Sequence, residues 1–230
     1  MKILSVSTAE NGCSLALFSD WQLVCEDFWK TKLTHSKRLA GMISTMVKER
    51  AGWDLDHIDA FVSAKGPGSF TGVRIGISTV MGFSAALSKP VIGVSSLDGI
   101  AWQFFPAPVQ VTAMMDAKRS EVYTAVYRFE GGRLSFKGEE AALSPEQAVE
   151  QAGRKGVFAG SGAQAYKDLI LEMTKAKGVV APNTTSHVKA GALVDSLASD
   201  PAVFEAAGQS VTPVYLRKSD AEIHFSGLTH

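Results

Sequence analysis

The run Lys65-Gly66-Pro67-Gly68-Ser69-Phe70-Thr71-Gly72-Val73-Arg74 is the part of the chain whose residue types and spacing come closest to a chemical site. It joins a short apolar segment, Ala60-Phe61-Val62-Ser63-Ala64, to a long one beginning near Thr71. A glycine-rich turn from strand into helix points free backbone N–H groups outward and adds the positive end of the helix dipole; both suit an anion such as phosphate. Gly66, Gly68, Ser69 and Thr71 are the candidate contacts. The turn is not a P-loop, because no Gly-Lys-Ser/Thr closes it, and Thr71 stands where a dinucleotide fingerprint needs its last glycine. A plain strand-to-helix connection with Thr71 as the helix cap accounts for the same residues.

Other chemistries find less support. His35, His57, His187, His224 and His230 are scattered, with no His-x-x-x-His pair to hold zinc. No Gly-x-Ser-x-Gly elbow occurs, and Cys13 and Cys25 are too few for a disulfide framework. The sequence therefore nominates no catalytic residue and no metal ligand. Asp116 lies in Met115-Asp116-Ala117-Lys118-Arg119-Ser120-Glu121-Val122-Tyr123, at an expected strand-to-strand turn, where aspartate serves through hydrogen bonds to its own backbone. In the matching turn of the first half, Ser7-Thr8-Ala9-Glu10, Glu10 is the sole acid. Charge narrows the field further. Twenty-three basic and 23 acidic side chains cancel over 230 residues, whereas an autonomous nucleic-acid binder normally carries excess positive charge. With 46% hydrophobic residues and no uninterrupted apolar run of about 20, the expectation is a soluble cytoplasmic protein that meets no membrane.

The elements that must position these residues follow a repeating order. Three β-type runs at 3–7, 13–18 and 23–28 open the chain, with Asn11-Gly12 as a type I′ turn between the first two. An amphipathic helix over 36–50 follows, its Leu39, Met42, Ile43, Met46 and Val47 on one stripe. Then come the strand at 60–64, the glycine turn and a helix over 71–87. The second half repeats the series: strands at 109–115, 122–129 and 134–136, a helix opened by Ser144-Pro145-Glu146, a strand at 157–159, the turn Gly160-Ser161-Gly162 and a helix near 163–175. The boundary falls in Trp102-Gln103-Phe104-Phe105-Pro106-Ala107-Pro108, giving a first lobe over 1–104 and a second over 105–230. The 71–87 helix has Arg74 as its one charge and apolar residues on two sides. Its own sheet can cover one side; the other requires helix 36–50 or a second polypeptide.

Four collinear segments carry a family resemblance. Gly66-Pro67-Gly68-Ser69-Phe70-Thr71-Gly72-Val73-Arg74-Ile75-Gly76 closely resembles the signature of the bacterial TsaB (YeaZ) proteins, and Asp116-Ala117-Lys118-Arg119-Ser120-Glu121-Val122-Tyr123 resembles their Asp-Ala-Arg-Arg-x-Glu-Val-Tyr segment. Thr34-His35-Ser36-Lys37-Arg38-Leu39 is similar to their His-Ser-x-x-Leu helix opening, and Pro213-Val214-Tyr215-Leu216-Arg217 to their closing Pro-x-Tyr-Leu-Arg. The resemblance implies an α/β, two-lobed actin-like ATPase fold with duplicated ribonuclease-H-like halves. It implies a part in making threonylcarbamoyladenosine next to the tRNA anticodon, as a non-catalytic subunit paired with a TsaD-like catalytic subunit and joined by a TsaE-like ATPase.

The same resemblance places a dimer interface on the two first-lobe helices, so that Leu39, Met42, Ile43, Met46, Ile75, Val80 and Phe83 are expected to form or underlie it, with a homodimer when the partner is missing. It also adds Gly160 and Gly162 to the possible phosphate contacts. Actin-like ATPases place an aspartate in the first hairpin to work with magnesium, whereas this chain writes Ser7-Thr8-Ala9. The expectation is thus no cofactor of its own, with ADP or ATP only at the partner boundary, and tRNA reached only through the complex. The rival reading is a self-sufficient kinase or ATPase using the turns at 66–72 and 160–162. A protease is a weaker rival, because no nucleophile stands with a plausible base.

Overall fold

The computed structural model describes residues 1–30, 38–198 and 201–217. Strands β1 (Lys2–Ser7), β2 (Gly12–Ser19) and β3 (Gln22–Lys30) form an antiparallel meander, to which β4 (Ala60–Ala64) and β5 (Val91–Val94) add in parallel, in the order β3-β2-β1-β4-β5. The second sheet uses β6 (Gln110–Lys118), β7 (Glu121–Glu130), β8 (Arg133–Lys137), β10 (Gly156–Ala159) and β11 (Gly178–Val180), and β9 (Ala141–Leu143) pairs with β7 off the main path. Its order, β8-β7-β6-β10-β11, repeats the first sheet strand for strand. Two sheets of this ribonuclease-H-like topology make the duplicated, actin-like ATPase architecture.

The connections are helical, as parallel pairing requires. In the first half they are α1 (Leu39–Thr45), which widens into a π-type turn over Met46–Arg50, and α2 (Phe70–Leu87). After α3 (Asp98–Ala101), the second half supplies α4 (Pro145–Ala152), α5 (Ser161–Ala165), α6 (Lys167–Met173) and α7 (Ala190–Asp195). Ser144 caps α4 as its sequence implies: it accepts from the Gln147 amide while the Gln147 side chain accepts from the Ser144 amide, both at 3.2 Å. The expected helix over 163–175 is instead divided at Tyr166, and the opening segment Thr34-His35-Ser36-Lys37 of the first expected helix lies outside the described residues.

Both faces of each sheet are covered, so the central strands are buried on both sides. Leu4, Val6, Leu15, Leu17 and Phe61 face outward from the first sheet onto α1 and α2, while Ile3, Ala16, Ala60 and Val62 face inward. On the second sheet Met114, Val122 and Phe158 meet α4 and α6, while Val111, Ala113, Ala125 and Tyr127 face inward. The two inner faces join one core that also holds Ile100 of α3 and Leu193 of α7. These two helices are thus packed between the sheets. The boundary segment is built into this core: Trp102 packs on Phe105 and Phe129 with ring centroids 4.7 and 5.4 Å apart.

Two sequence expectations need correction. The Asn11-Gly12 type I′ turn does not form, since β2 already starts at Gly12 and Ser7 pairs with Ser14. The paired positive φ angles belong to the next hairpin, at Asp20 (51°) and Trp21 (65°). The chain after α7 also returns to the first lobe: the Val91 amide donates to Gly208 O at 2.8 Å and the Val214 amide to Lys65 O at 2.7 Å. Residues placed by sequence in the second lobe therefore complete the first. Among the described residues, α2 alone has the length and apolar content of a membrane span, but its Val73, Ile77 and Val80 are buried in the core.

Candidate functional site

The end of β1, the turn after β4 and the start of α2 are drawn tightly together. The Ser69 amide donates to Ala9 O at 2.8 Å, and the Gly72 amide donates to Ser69 Oγ at 3.2 Å, so Ser69, not Thr71, is the helix cap. Thr8 donates its hydroxyl to Gly72 O at 2.7 Å. A Cβ on Gly72 would lie 2.1 Å from Thr8 O, and one on Gly76 2.5 Å from Thr8 Oγ1, so only glycine lets α2 sit this close to β1.

Three sequence-distant motifs meet beside this turn. Tyr215 of the closing motif stacks on Phe70 (4.5 Å between centroids), and Arg74 lies 3.9 Å over the Phe70 ring while its Nε donates to the Tyr215 hydroxyl at 2.8 Å. Arg217 donates to Ala117 O and Glu121 Oε2, both at 3.0 Å, tying the same segment to the β6–β7 turn. Between the lobes lies a cleft of about 800 Å³. Glu10, Gly68, Ser69 and Phe70 line its first-lobe wall, and Asp116, Ser161 and His187 its second-lobe wall.

Asp116 performs the turn role read from sequence: its Oδ1 accepts from the Lys118 amide at 2.8 Å, and Lys118 Nζ lies 2.5 Å from its Oδ2. Glu10 is not among the site candidates read from sequence, yet its carboxyl is held from both ends across the cleft. Its Oε1 accepts from the Ser161 hydroxyl at 2.6 Å and its Oε2 from the Val188 amide at 2.9 Å. The residue keeps partial exposure to the cleft, but the protein packed around its carboxyl pushes its pKa up; the two hydrogen bonds oppose that shift and the Asp116 charge adds to it. His187, stacked on Phe28 at 3.8 Å, is held below the ordinary imidazole range by burial, with the Lys189 charge adding.

Of the six possible phosphate contacts, Gly68 and Ser69 line the cleft, and Gly66, Thr71, Gly160 and Gly162 are not among its lining residues. A Cβ on Gly66 would fall 2.3 Å from Val214 O and one on Gly160 2.1 Å from Met114 O. Close backbone packing accounts for both glycines. Gly162 likewise packs on Met114 and Val122, while Thr71 sits exposed in the first turn of α2. Elsewhere, Asp54, Asp56 and His57 bring ligand-type atoms together on an exposed turn, where the side chains of Asp54 and His57 serve as its capping box.

The seven interface candidates divide by burial. Leu39, Ile43, Met46 and Val80 are at most 1% exposed and belong to the core between the helices and the first sheet, so they underlie the surface and cannot form it. Met42, Ile75 and Phe83 are half-buried at its edge. The exposed positions of α2 are Thr71, Arg74, Ser78, Gly82, Ala85 and Ala86, and those of α1 are Ala40, Gly41 and Thr45. A Cβ added at Gly41 or Gly82 would meet nothing within 4 Å. Helix α1 thus supplies part of the cover that α2 needs, and beyond Arg74 a face of small side chains is left outward.

Comparison with known proteins agrees with this geometry. Residues 30–225 match the family model described as TsaD: tRNA N6-adenosine threonylcarbamoyltransferase. The tRNA threonylcarbamoyladenosine biosynthesis protein TsaB of Escherichia coli (strain K12) is 38% identical over 176 residues, covering 74% of this chain and 75% of that one. Its counterpart in Haemophilus influenzae is 31% identical over 195 residues, covering 80% and 81%. The crystal structure of a Pseudomonas aeruginosa protein with similarity to peptidase YEAZ superposes with a TM-score of 0.78 at 30% identity, over 94% of this chain and 99% of that one. The shared motifs, the convergence of three of them at one cleft and these likenesses place the chain in the TsaB (YeaZ) family.

Proposed function

We propose that this protein is the non-catalytic, partner-activating subunit of the machinery that builds threonylcarbamoyladenosine beside the tRNA anticodon, with a TsaD-like protein as the catalytic subunit and a TsaE-like ATPase joining them. The observation that carries the reading is the outward face of α1 and α2. Ser78, Gly82, Ala85 and Ala86 are exposed beside half-buried Ile75, Phe83 and Met42. Small residues let a facing helix backbone approach closely, and the larger ones contribute apolar area at roughly 25 cal/mol per Å² before association costs. The relatives named for threonylcarbamoyladenosine biosynthesis supply the pathway. Ser7, buried at the end of β1, stands where an actin-like ATPase carries a magnesium-directed carboxylate, so ADP or ATP would be held only at the partner boundary. tRNA is reached through the complex, and the same apolar face would join two copies when the partner is missing.

The test is Gly82→Arg. Because nothing lies within 4 Å of a Cβ there, the isolated protein should fold and melt normally, yet lose co-elution with the TsaD-like subunit and support of tRNA modification. Retention of both would overturn the reading. Steady ATP turnover by the purified wild type with magnesium would favour the self-sufficient enzyme instead.

A further inference from the structure

We propose that Glu10 is the internal ligand of the interlobe cleft: its carboxylate takes the donors that an incoming anion would need, ties the lobes together in place of a bound ligand, and so sets the cleft against phosphate-bearing molecules. The inference is independent of which partner covers α1 and α2.

The geometry is specific. Glu10 leaves the first lobe on the loop after β1 and accepts from two second-lobe donors of different kinds, the Ser161 hydroxyl at 2.6 Å and the Val188 amide at 2.9 Å. Ser161 Oγ in turn accepts from the Asp116 amide at 3.1 Å, which orients its hydroxyl toward Glu10. Neighbouring first-lobe side chains continue the pattern. Ser14 Oγ accepts from the Ala190 amide at 2.9 Å, Glu26 Oε1 accepts from the Gly191 amide at 2.8 Å, and Ser5 donates to Ala190 O at 2.7 Å. Ser14 and Ser5 are buried, so these links are shielded from water. The lobes are therefore joined by the chain's own side chains, at the cleft through Glu10 and outside its lining through Ser5, Ser14 and Glu26.

A phosphate approaching Ser161 and Val188 would have to displace Glu10 and would meet the negative charges of Glu10 and Asp116. Lys118 is engaged with Asp116 and Arg217 with Glu121, and Lys30 and His187 are the other lining residues that can carry positive charge. Truncating the whole side chain should reverse this selectivity, because it frees a hydroxyl and an amide in a partly desolvated site.

The experiment is titration of inorganic phosphate, then ADP, into wild type, Glu10→Gln and Glu10→Ala, with amide hydrogen exchange followed at Val188. Wild type and Glu10→Gln, which keeps an acceptor in place, should take up neither ligand and should protect the Val188 amide equally with and without phosphate. Glu10→Ala should bind phosphate at least about tenfold more tightly than wild type. Its Val188 amide should exchange about tenfold faster, and phosphate should restore the protection. Equal phosphate affinity in wild type and Glu10→Ala, or unchanged Val188 exchange in Glu10→Ala, would overturn the proposal. Should Glu10→Ala fail to fold, Ser161→Ala decides: loss of the hydroxyl that orients Glu10 should speed Val188 exchange severalfold, and unchanged exchange refutes the latch. A normal result for Gly82→Arg with the partner leaves this outcome untouched, so the two readings fail separately.

Discussion

Glu10 shows how much a single side chain draws from residues far away in sequence. Burial raises its pKa, the hydrogen bonds from Ser161 and Val188 pull it down, and Asp116 adds repulsion, with the rise prevailing. A carboxyl whose pKa is raised on folding binds protons more tightly in the folded state, so the protein loses stability as pH rises through the window from about 4.5 to the folded pKa. Glu10→Gln lacks this dependence. Denaturant midpoints should therefore favour the glutamine variant progressively as pH rises from about 4.5, with a constant difference once Glu10 is ionised in both states; parallel midpoints across that range would contradict the pKa direction. The sequence displays Glu10 only as an acid in a loop between apolar strands. Val188 lies 178 positions away, and no spacing rule reaches that far.

Helix α2 was legible as an element, and its two glycine-containing faces were not. Gly72 and Gly82 look alike in sequence, both within one apolar helix. A Cβ on Gly72 would clash with Thr8 O at 2.1 Å, whereas one on Gly82 would meet open space. Gly72→Ala should therefore push α2 away from β1 and cost about 1–3 kcal/mol, as overpacking does. Gly82→Ala should instead gain up to about 1 kcal/mol from helix propensity. Thermal melts of the isolated protein give the two signs, and equal shifts would refute the assignment of faces. The N-cap was misplaced by two positions, at Thr71 rather than Ser69, because both residue types cap well. The choice was made by Ala9 O holding the Ser69 amide.

The repeat of architecture extends to the whole molecule, but its halves are not independent. The inner faces of both sheets share one core with Leu193 of α7, and residues 208–214 hydrogen-bond back to the first lobe. A fragment of residues 1–104 would leave Ile3, Ala16 and Val62 without their inner cover. It should bind a hydrophobic dye and melt without a sharp transition, whereas a cooperative transition in the isolated fragment would show that the lobe is self-sufficient.

Sequence by itself determined what depends on local pattern: the paired meanders, helices α2 and α4, the capping box at Ser144, the glycine turn and the motifs that mark the TsaB family. Strands β5, β9 and β11, three or four residues each, escaped because so few residues cannot display an alternation. Tertiary structure alone decided which interface candidates are core, why the Asn11-Gly12 turn yields to a loop anchored by Glu10, and how the chain after α7 recrosses to the first lobe. Those outcomes depend on contacts between residues dozens to more than a hundred positions apart, whose energies rest on distance and burial in space rather than on any period along the chain.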